Sequence, residues 1–74
     1  MISLDKLKSG EKATLLYIED VEVKRRFIEI GLTKGTTIEC VLESPFKNPK
    51  AYYIKNSLIS IRNEAAKAVM VEVI

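Results

Sequence analysis

Histidine and tryptophan are missing from this 74-residue sequence, and cysteine occurs only once, as Cys40. Catalysis by the usual routes needs a nucleophile with a base, or two carboxylates held in a cleft, and histidine is the commonest base. A single cysteine cannot form an intramolecular disulfide, and a cysteine in the middle of a strand is typical of a small buried apolar side chain. The sequence therefore predicts a protein without enzymatic activity, catalytic residues or a cofactor.

Long apolar runs and a strong excess of one charge are also missing. The longest apolar runs, residues 15–18 and 68–71, are far shorter than the ~20 residues that cross a bilayer. No N-terminal stretch resembles a signal peptide, so we expect a cytoplasmic protein that does not insert into a membrane. The formal net charge is only +2, from 12 Lys and Arg against 10 Asp and Glu, which does not favour nucleic acid as the partner.

One short helix is predicted in the first half of the chain. Asp20 is a suitable N-cap because its carboxylate can accept hydrogen bonds from the unpaired N–H groups at a helix start. Val23, Phe27 and Ile30 follow at helical spacing. Gly31 suits the left-handed position that ends a helix in a Schellman motif, with the next leucine in contact with Phe27. We therefore expect the helix to end at Ile30.

Alternating apolar residues predict strands on either side of this helix, at residues 11–19 and 36–44. Side chains at every second position of a strand point to the same face of a sheet. The residues expected to share one face are Ala13, Leu15 and Tyr17 in the first strand, and Ile38, Cys40 and Leu42 in the second.

The second half of the chain predicts a hairpin and a closing strand. Tyr52 and Ile54 are expected to point inward and Tyr53 outward, before a two-residue turn at residues 56–57. Residues 58–62 return as a strand, with Ile59 and Ile61 inward, and one helical turn at Asn63–Ala66 precedes the last strand, residues 68–73. Five short strands with close turns favour a closed or nearly closed small barrel, because closure hides the sheet edges. We expect a single domain over residues 1–74.

The order of these features resembles the FeoA domain family, nearly from end to end. The residues that carry the resemblance are Leu4, Leu7 and Gly10; Lys24, Arg25, Arg26 and Phe27 on the helix; Ile30, Gly31, Leu32 and Gly35; the proline loop 45–49; Ile59, Ser60, Ile61 and Arg62; and Ala65, Val69 and Val71. Two positions depart from the family pattern: Phe27 replaces the usual leucine, and Asn56 stands where glycine is frequent. The resemblance implies a mainly β fold, a small SH3-like β-barrel of about five strands with a short helix after the first strand.

The resemblance also implies a function. FeoA proteins are cytosolic accessory proteins of ferrous iron uptake, and they are thought to bind and modulate the membrane transporter FeoB through its cytosolic GTPase portion. Two other readings stay open: a small barrel that binds nucleic acid, and a module that senses iron, a transition metal ion. A metal site would have to be built from carboxylates, which bind exposed divalent ions weakly, so we expect none.

Two surfaces are candidates for binding a partner protein. Lys24, Arg25 and Arg26 form the one basic cluster, which is either a docking patch or a solvated helix face partly paired with nearby glutamates. Phe46, Tyr53 and the proline loop around them resemble the aromatic surfaces that peptide-binding barrels use. Arg62 is a further candidate, although it could simply support the turn before the last strand. An unblocked edge strand could also support a homo-oligomer.

Overall fold

A single antiparallel sheet forms most of the molecule. The computed structural model describes residues 1–45 and 48–74. In chain order the elements are β1 (Ile2–Ser3), a 3-10 turn (Leu4–Lys6), β2 (Lys12–Ile18), α1 (Val21–Glu29), β3 (Thr37–Glu43), β4 (Lys50–Ile54), β5 (Ser57–Ile61), α2 (Asn63–Ala66) and β6 (Val69–Val73). Over the described ranges the six strands are arranged in the order β1-β6-β2-β3-β4-β5, each antiparallel to its neighbours. The predicted mainly β fold is confirmed, with one more strand than expected, because two-residue β1 is too short to show an alternating pattern.

Helix α1 begins and ends as its capping residues predict. The Asp20 carboxylate accepts a hydrogen bond from the Val23 N–H (3.1 Å). At the other end, the Leu32 N–H donates to the Phe27 carbonyl (2.9 Å) and the Gly31 N–H to the Ile28 carbonyl (2.9 Å). Gly31 has a φ of +86°, so both hydrogen bonds of the Schellman motif form around a residue in the left-handed region. The predicted end of the helix is confirmed, with Ile30 as its C-cap.

In β2 and β3 the side chains do not alternate regularly between the inner and outer faces of the sheet. Between Leu15 and Tyr17, and again between Cys40 and Leu42, the strand pairing shifts by one residue. Each shift is a β-bulge, in which one extra residue turns the following side chains to the other face of the sheet. Tyr17 is therefore 47% exposed and Leu42 61% exposed, and their predicted places on the inner face are wrong.

The β4–β5 hairpin is one residue out of register with the prediction. Its turn residues are Lys55 and Asn56, with φ values of 48° and 65°, and Ser57 pairs with Ile54 as the first residue of β5. Two consecutive positive φ values define the turn that matches the twist of a two-residue hairpin. The inward positions of Tyr52 and Ile54 are confirmed, as is the outward position of Tyr53.

The sheet curls until β4 reaches the segment that follows β1. In a flat sheet, four strand spacings of about 4.8 Å would separate these strands by about 19 Å. Instead, the buried Lys50 ammonium donates to the carbonyls of Asp5 and Leu7, the latter at 3.0 Å. The Tyr52 hydroxyl, also buried, donates to the Leu4 carbonyl (3.3 Å). These hydrogen bonds join the two ends of the sheet across the core.

The core fills the space that this curling encloses. The side chains with 2% exposure or less are Leu4, Leu7, Ala13, Leu15, Leu32, Ile38, Cys40, Tyr52, Ile54, Ala66, Val69 and Val71. They come from the 3-10 turn, from β2, β3, β4, α2 and β6, and from two connecting segments, and Val23 and Phe27 of α1 pack against them. The helix thus covers one opening of the curled sheet.

Replacing Phe27 with alanine is expected to lower the free energy of unfolding by about 3 to 5 kcal/mol, because the buried ring leaves a cavity between α1 and the sheet. Tyr53→Ala is the matched control: it also removes an aromatic ring, but from the outer face, and should change stability little. Urea or thermal unfolding of both variants tests this. If Tyr53→Ala proved the more damaging change, the assignment of inner and outer faces would be wrong.

Replacing Lys50 with methionine is expected to cost about 2 to 4 kcal/mol, since two backbone carbonyls lose their donor and an unsatisfied buried acceptor costs about 1 to 3 kcal/mol. Methionine keeps the length and apolar stem of the side chain, so the loss reports on the hydrogen bonds. Lys12→Met, on an exposed position of β2, is the control and should change little. Equal unfolding midpoints for the two variants would contradict this closure of the barrel.

Stability should also fall at alkaline pH because of Tyr52. Burial raises the pKa of its hydroxyl above the ordinary tyrosine value. Above about pH 10 the unfolded chain releases this proton while the folded chain retains it, so unfolding becomes progressively more favourable. Urea unfolding at a series of pH values from about 8 to 11 should show a steeper loss of stability for the unmodified chain than for Tyr52→Phe. Parallel curves would contradict it.

Candidate partner-binding groove

A groove of about 460 Å³ lies between α1, β5 and the start of α2. Its apolar lining comes from Val23 and Phe27 of α1, Ile59 and Ile61 of β5, and Ala65 of α2. The volume falls within the range of about 300 to 1,000 Å³ typical of ligand pockets. The groove is therefore large enough to receive several side chains of a binding partner.

Helix α1 supplies one wall of this groove. The Asp20 cap sets the start of the helix, and from that start Val23 and Phe27 face the core while Arg26, between them in sequence, reaches the groove with an exposed side chain. Ile30, expected on the same apolar face, is 48% exposed and lies on the groove rim. Ile30 therefore extends the apolar lining of the groove to its edge.

The opposite end of the groove is held by hydrogen bonds from Asn48. Its side-chain carbonyl accepts from the Asn63 N–H (3.0 Å), the first N–H of α2. Its side-chain amide donates to the Glu64 carboxylate (3.0 Å). The Arg62 carbonyl accepts from the N–H groups of Ala65 and Ala66. These bonds fix α2, and with it the position of the exposed Arg62 side chain beside the groove.

Two guanidinium groups border the groove, and neither has an ion-pair partner within the described ranges. Among the described residues, two cationic groups have a carboxylate within 4.0 Å: the N-terminal amine, which pairs with Glu72, and the Lys50 ammonium, which pairs with Glu43. Arg26 and Arg62 are in neither pair, and Glu64 is the one acidic residue in the groove lining. Carboxylates form strong, often bidentate hydrogen bonds with guanidinium groups, so the rim is suited to an acidic partner.

The structure separates the residues of the basic cluster. Arg26 lines the groove, whereas Lys24 and Arg25 lie on another side of α1, in a shallower depression with the exposed Val21 and Ile28. Neither forms an ion pair with a glutamate in the part of the chain that the structure describes. The three cations therefore do not act together on one face.

Tyr53, the described aromatic residue of the predicted aromatic surface, is not part of the groove lining. Tyr53 is 44% exposed, pairs across the hairpin with Leu58, and donates from its hydroxyl to the Asn56 side chain (3.3 Å). Phe46, its predicted neighbour, lies outside the described residues. Of the five candidate residues that the structure describes, the groove lining includes Arg26 and Arg62 and not Lys24, Arg25 or Tyr53.

Sequence reasoning missed the role of Ile30, Ile59 and Glu64 as groove lining. From their spacing, the two isoleucines are predicted to lie in the core, and no neighbouring residue in the sequence indicates that their side chains are partly exposed. One sequence signal was available: Lys24, Arg25 and Arg26 are consecutive on a helix, and consecutive helical residues point in different directions.

The described residues contain no group of three or more His, Cys, Asp or Glu side chains that could hold a metal ion.

Cys40 is buried, and burial raises the pKa of its thiol, which disfavours the reactive thiolate. No helix within the described ranges is long and apolar enough to cross a membrane. The candidate functional site on the described surface is therefore an apolar groove bordered by two arginines.

Three known proteins show what this chain is similar to. The Fe(2+) transport protein A/Fe(2+) transporter FeoB fusion protein of Porphyromonas gingivalis is 33% identical over 72 residues, which is 96% of this chain and only 8% of that protein. The FeoA-like protein of Clostridium acetobutylicum is 27% identical, with a TM-score of 0.92 over 99% of this chain and 86% of that one. Stenotrophomonas maltophilia FeoA, 23% identical, has a TM-score of 0.85 over 97% of this chain and 91% of that one.

These similarities agree with the curled sheet described above. The Stenotrophomonas protein is described as a prokaryotic SH3 domain protein and is complexed with zinc. Its likeness in fold confirms the predicted SH3-like barrel. The FeoA domain model matches residues 2–73, and on that match over nearly its whole length the chain belongs to the FeoA domain family.

Proposed function

We propose that this chain is a cytosolic, non-catalytic accessory domain of ferrous iron uptake that binds a FeoB-type transporter. The family supports a role in iron transport. In the Porphyromonas relative, a transport protein A region and a FeoB transporter are parts of one polypeptide. Fusion keeps two domains at high effective concentration, which benefits domains that bind each other weakly when separate.

The single observation that carries the proposal is the groove with its two unpaired arginines. Its floor is apolar, so a partner gains from burying its own apolar side chains there. Its rim carries Arg26 and Arg62, and charge complementarity at a rim sets orientation and the rate of association. The proposed partner surface is therefore apolar at its centre and acidic around it, on the cytosolic GTPase portion of the transporter.

In this proposal the transporter, and not this domain, carries out the chemical steps. The chain has no histidine, and its one thiol lies in the barrel core. GTP hydrolysis and iron movement would then occur entirely on the partner, and the domain would act by changing the assembly or turnover of the transporter. The domain is proposed to comprise residues 1–74 and to reside in the cytoplasm.

The test is a titration of the folded chain with the isolated cytosolic portion of a FeoB-type transporter from the same genome. Arg26→Glu and Arg62→Glu should each raise the Kd about tenfold, which corresponds to about 1.4 kcal/mol. Lys24→Glu and Arg25→Glu make the same change of charge on the same helix but outside the groove, so they are matched controls expected to have small effects.

The controls also test the other candidate surfaces. If Lys24→Glu or Arg25→Glu weakened binding more than the groove variants, the basic face of α1 would be the docking site. If only Tyr53→Ala weakened it, the outer face of the hairpin would be. No binding at tens of micromolar, with all variants shown to be folded by thermal melts, would remove the proposed function.

A further inference from the structure

Strand β5 has one open edge. It is the last strand of the sheet order and pairs only with β4 within the described ranges. The two-residue turn makes Ile54 and Ser57 a hydrogen-bonded pair, and such pairs alternate with non-hydrogen-bonded pairs along an antiparallel ladder. With Tyr52 opposite Ile59, the backbone N–H and C=O groups of Ser57, Ile59 and Ile61 point to β4. Those of Leu58 and Ser60 therefore point away from the sheet.

The open edge lies along the groove. Ile59, Ser60 and Ile61 line one side of it, and Val23, Arg26 and Phe27 of α1 line the other. The groove is thus a gap between a sheet edge with free backbone groups and a helix wall with apolar side chains. An extended chain can satisfy both, because it hydrogen-bonds to a sheet edge while alternate side chains enter pockets beside it.

We propose that the groove binds an extended segment of the partner protein that adds to β5 as a further antiparallel or parallel strand. This proposal rests on the proposed function and specifies how the partner binds. The segment alternates apolar and acidic residues. In a strand, successive side chains point to opposite faces, so apolar ones contact Phe27 and Ile59 on the groove floor while acidic ones stay at the surface near Arg26 and Arg62.

The charge of the groove favours an acidic segment. Two guanidinium groups border it, and the Glu64 carboxylate beside them already accepts a hydrogen bond from the Asn48 side chain. A carboxylate on the segment would give Arg26 or Arg62 the partner that each lacks among the described residues. A basic segment would meet like charge there.

A second copy of this chain fits the groove less well than a partner segment. Its own β5 is flanked by its own α1 across the groove, so pairing of two β5 edges would bring a helix from each copy into the space for a strand. It would also bring the Arg26 and Arg62 side chains of both copies together, and like charges repel. The proposed occupant is therefore a partner segment that is not already packed or paired within its own protein and can adopt an extended conformation.

Amide hydrogen exchange is the direct test. The unmodified chain is mixed first with the isolated cytosolic portion of the transporter, and separately with a synthetic peptide of alternating glutamate and valine. Strand addition should slow the exchange of the Leu58 and Ser60 amides in both complexes, whereas the Ile59 amide is already bonded to β4. A peptide of alternating lysine and valine should give no protection.

A pair of variants at Ser60 separates backbone from side chain. Ser60→Pro removes an N–H that the β4–β5 ladder does not use, and proline is tolerated on edge strands. It should weaken binding of the glutamate–valine peptide about fivefold or more relative to Ser60→Ala, which changes the same groove-lining side chain but keeps the N–H. Thermal melts check that both variants fold. If Ser60→Pro does not fold, the exchange data on the unmodified chain decide whether a strand adds to β5.

The outcomes distinguish this inference from the proposed function. If the transporter portion binds in the groove and Leu58 and Ser60 exchange at their free rates, strand addition is wrong and the proposed function stands. If the transporter portion does not bind but the acidic peptide protects both amides, strand addition is supported and the proposed partner is wrong. If neither protects them, or if sedimentation shows that the protection comes from a dimer of this chain, strand addition is overturned.

Discussion

The buried ammonium of Lys50 is the interaction on which the rest of the structure depends. It joins β4 to the carbonyls that follow β1, and the Tyr52 hydroxyl makes a parallel link two residues along. A lysine is buried only when its donors and charge are satisfied, and here two carbonyls and the Glu43 carboxylate (3.8 Å) do this. A chain this short encloses its core by curling one sheet, and these side chains hold the curl from the inside.

Closure of the sheet stops at β5, and the groove is the consequence. Helix α1 covers the opening with Val23 and Phe27, but it leaves the outer edge of β5 uncovered. An open edge invites uncontrolled pairing with other chains, which proteins limit by keeping edge strands short and placing charges near them. Strand β5 has five residues, with Lys55 before it and Arg62 after it. In the proposed mode of binding, these charges would disfavour pairing with a second copy of this chain and favour a segment of opposite charge.

The polar groups inside the barrel have structural roles. Burial raises the pKa of both Cys40 and Tyr52, so the thiol and the hydroxyl hold their protons. Lys50, the buried cation, is occupied by backbone carbonyls. Since these interior groups are occupied in this way, the binding proposed above is assigned to the outer surface. There the groove provides a specific shape, and Arg26 and Arg62, which form no ion pair within the described ranges, provide the charge.

The sequence by itself determined the features that a few consecutive residues control. The cap at Asp20, the helix end at Gly31 and the alternation of Tyr52 with Tyr53 all follow from local hydrogen bonds and strand geometry. It did not determine the bulges that turn Tyr17 and Leu42 outward, because a bulge is defined by the register between two strands. The groove depends on tertiary structure: Arg26 and Arg62 are far apart in the chain, and they line the same groove only because the curled sheet brings β5 beside α1.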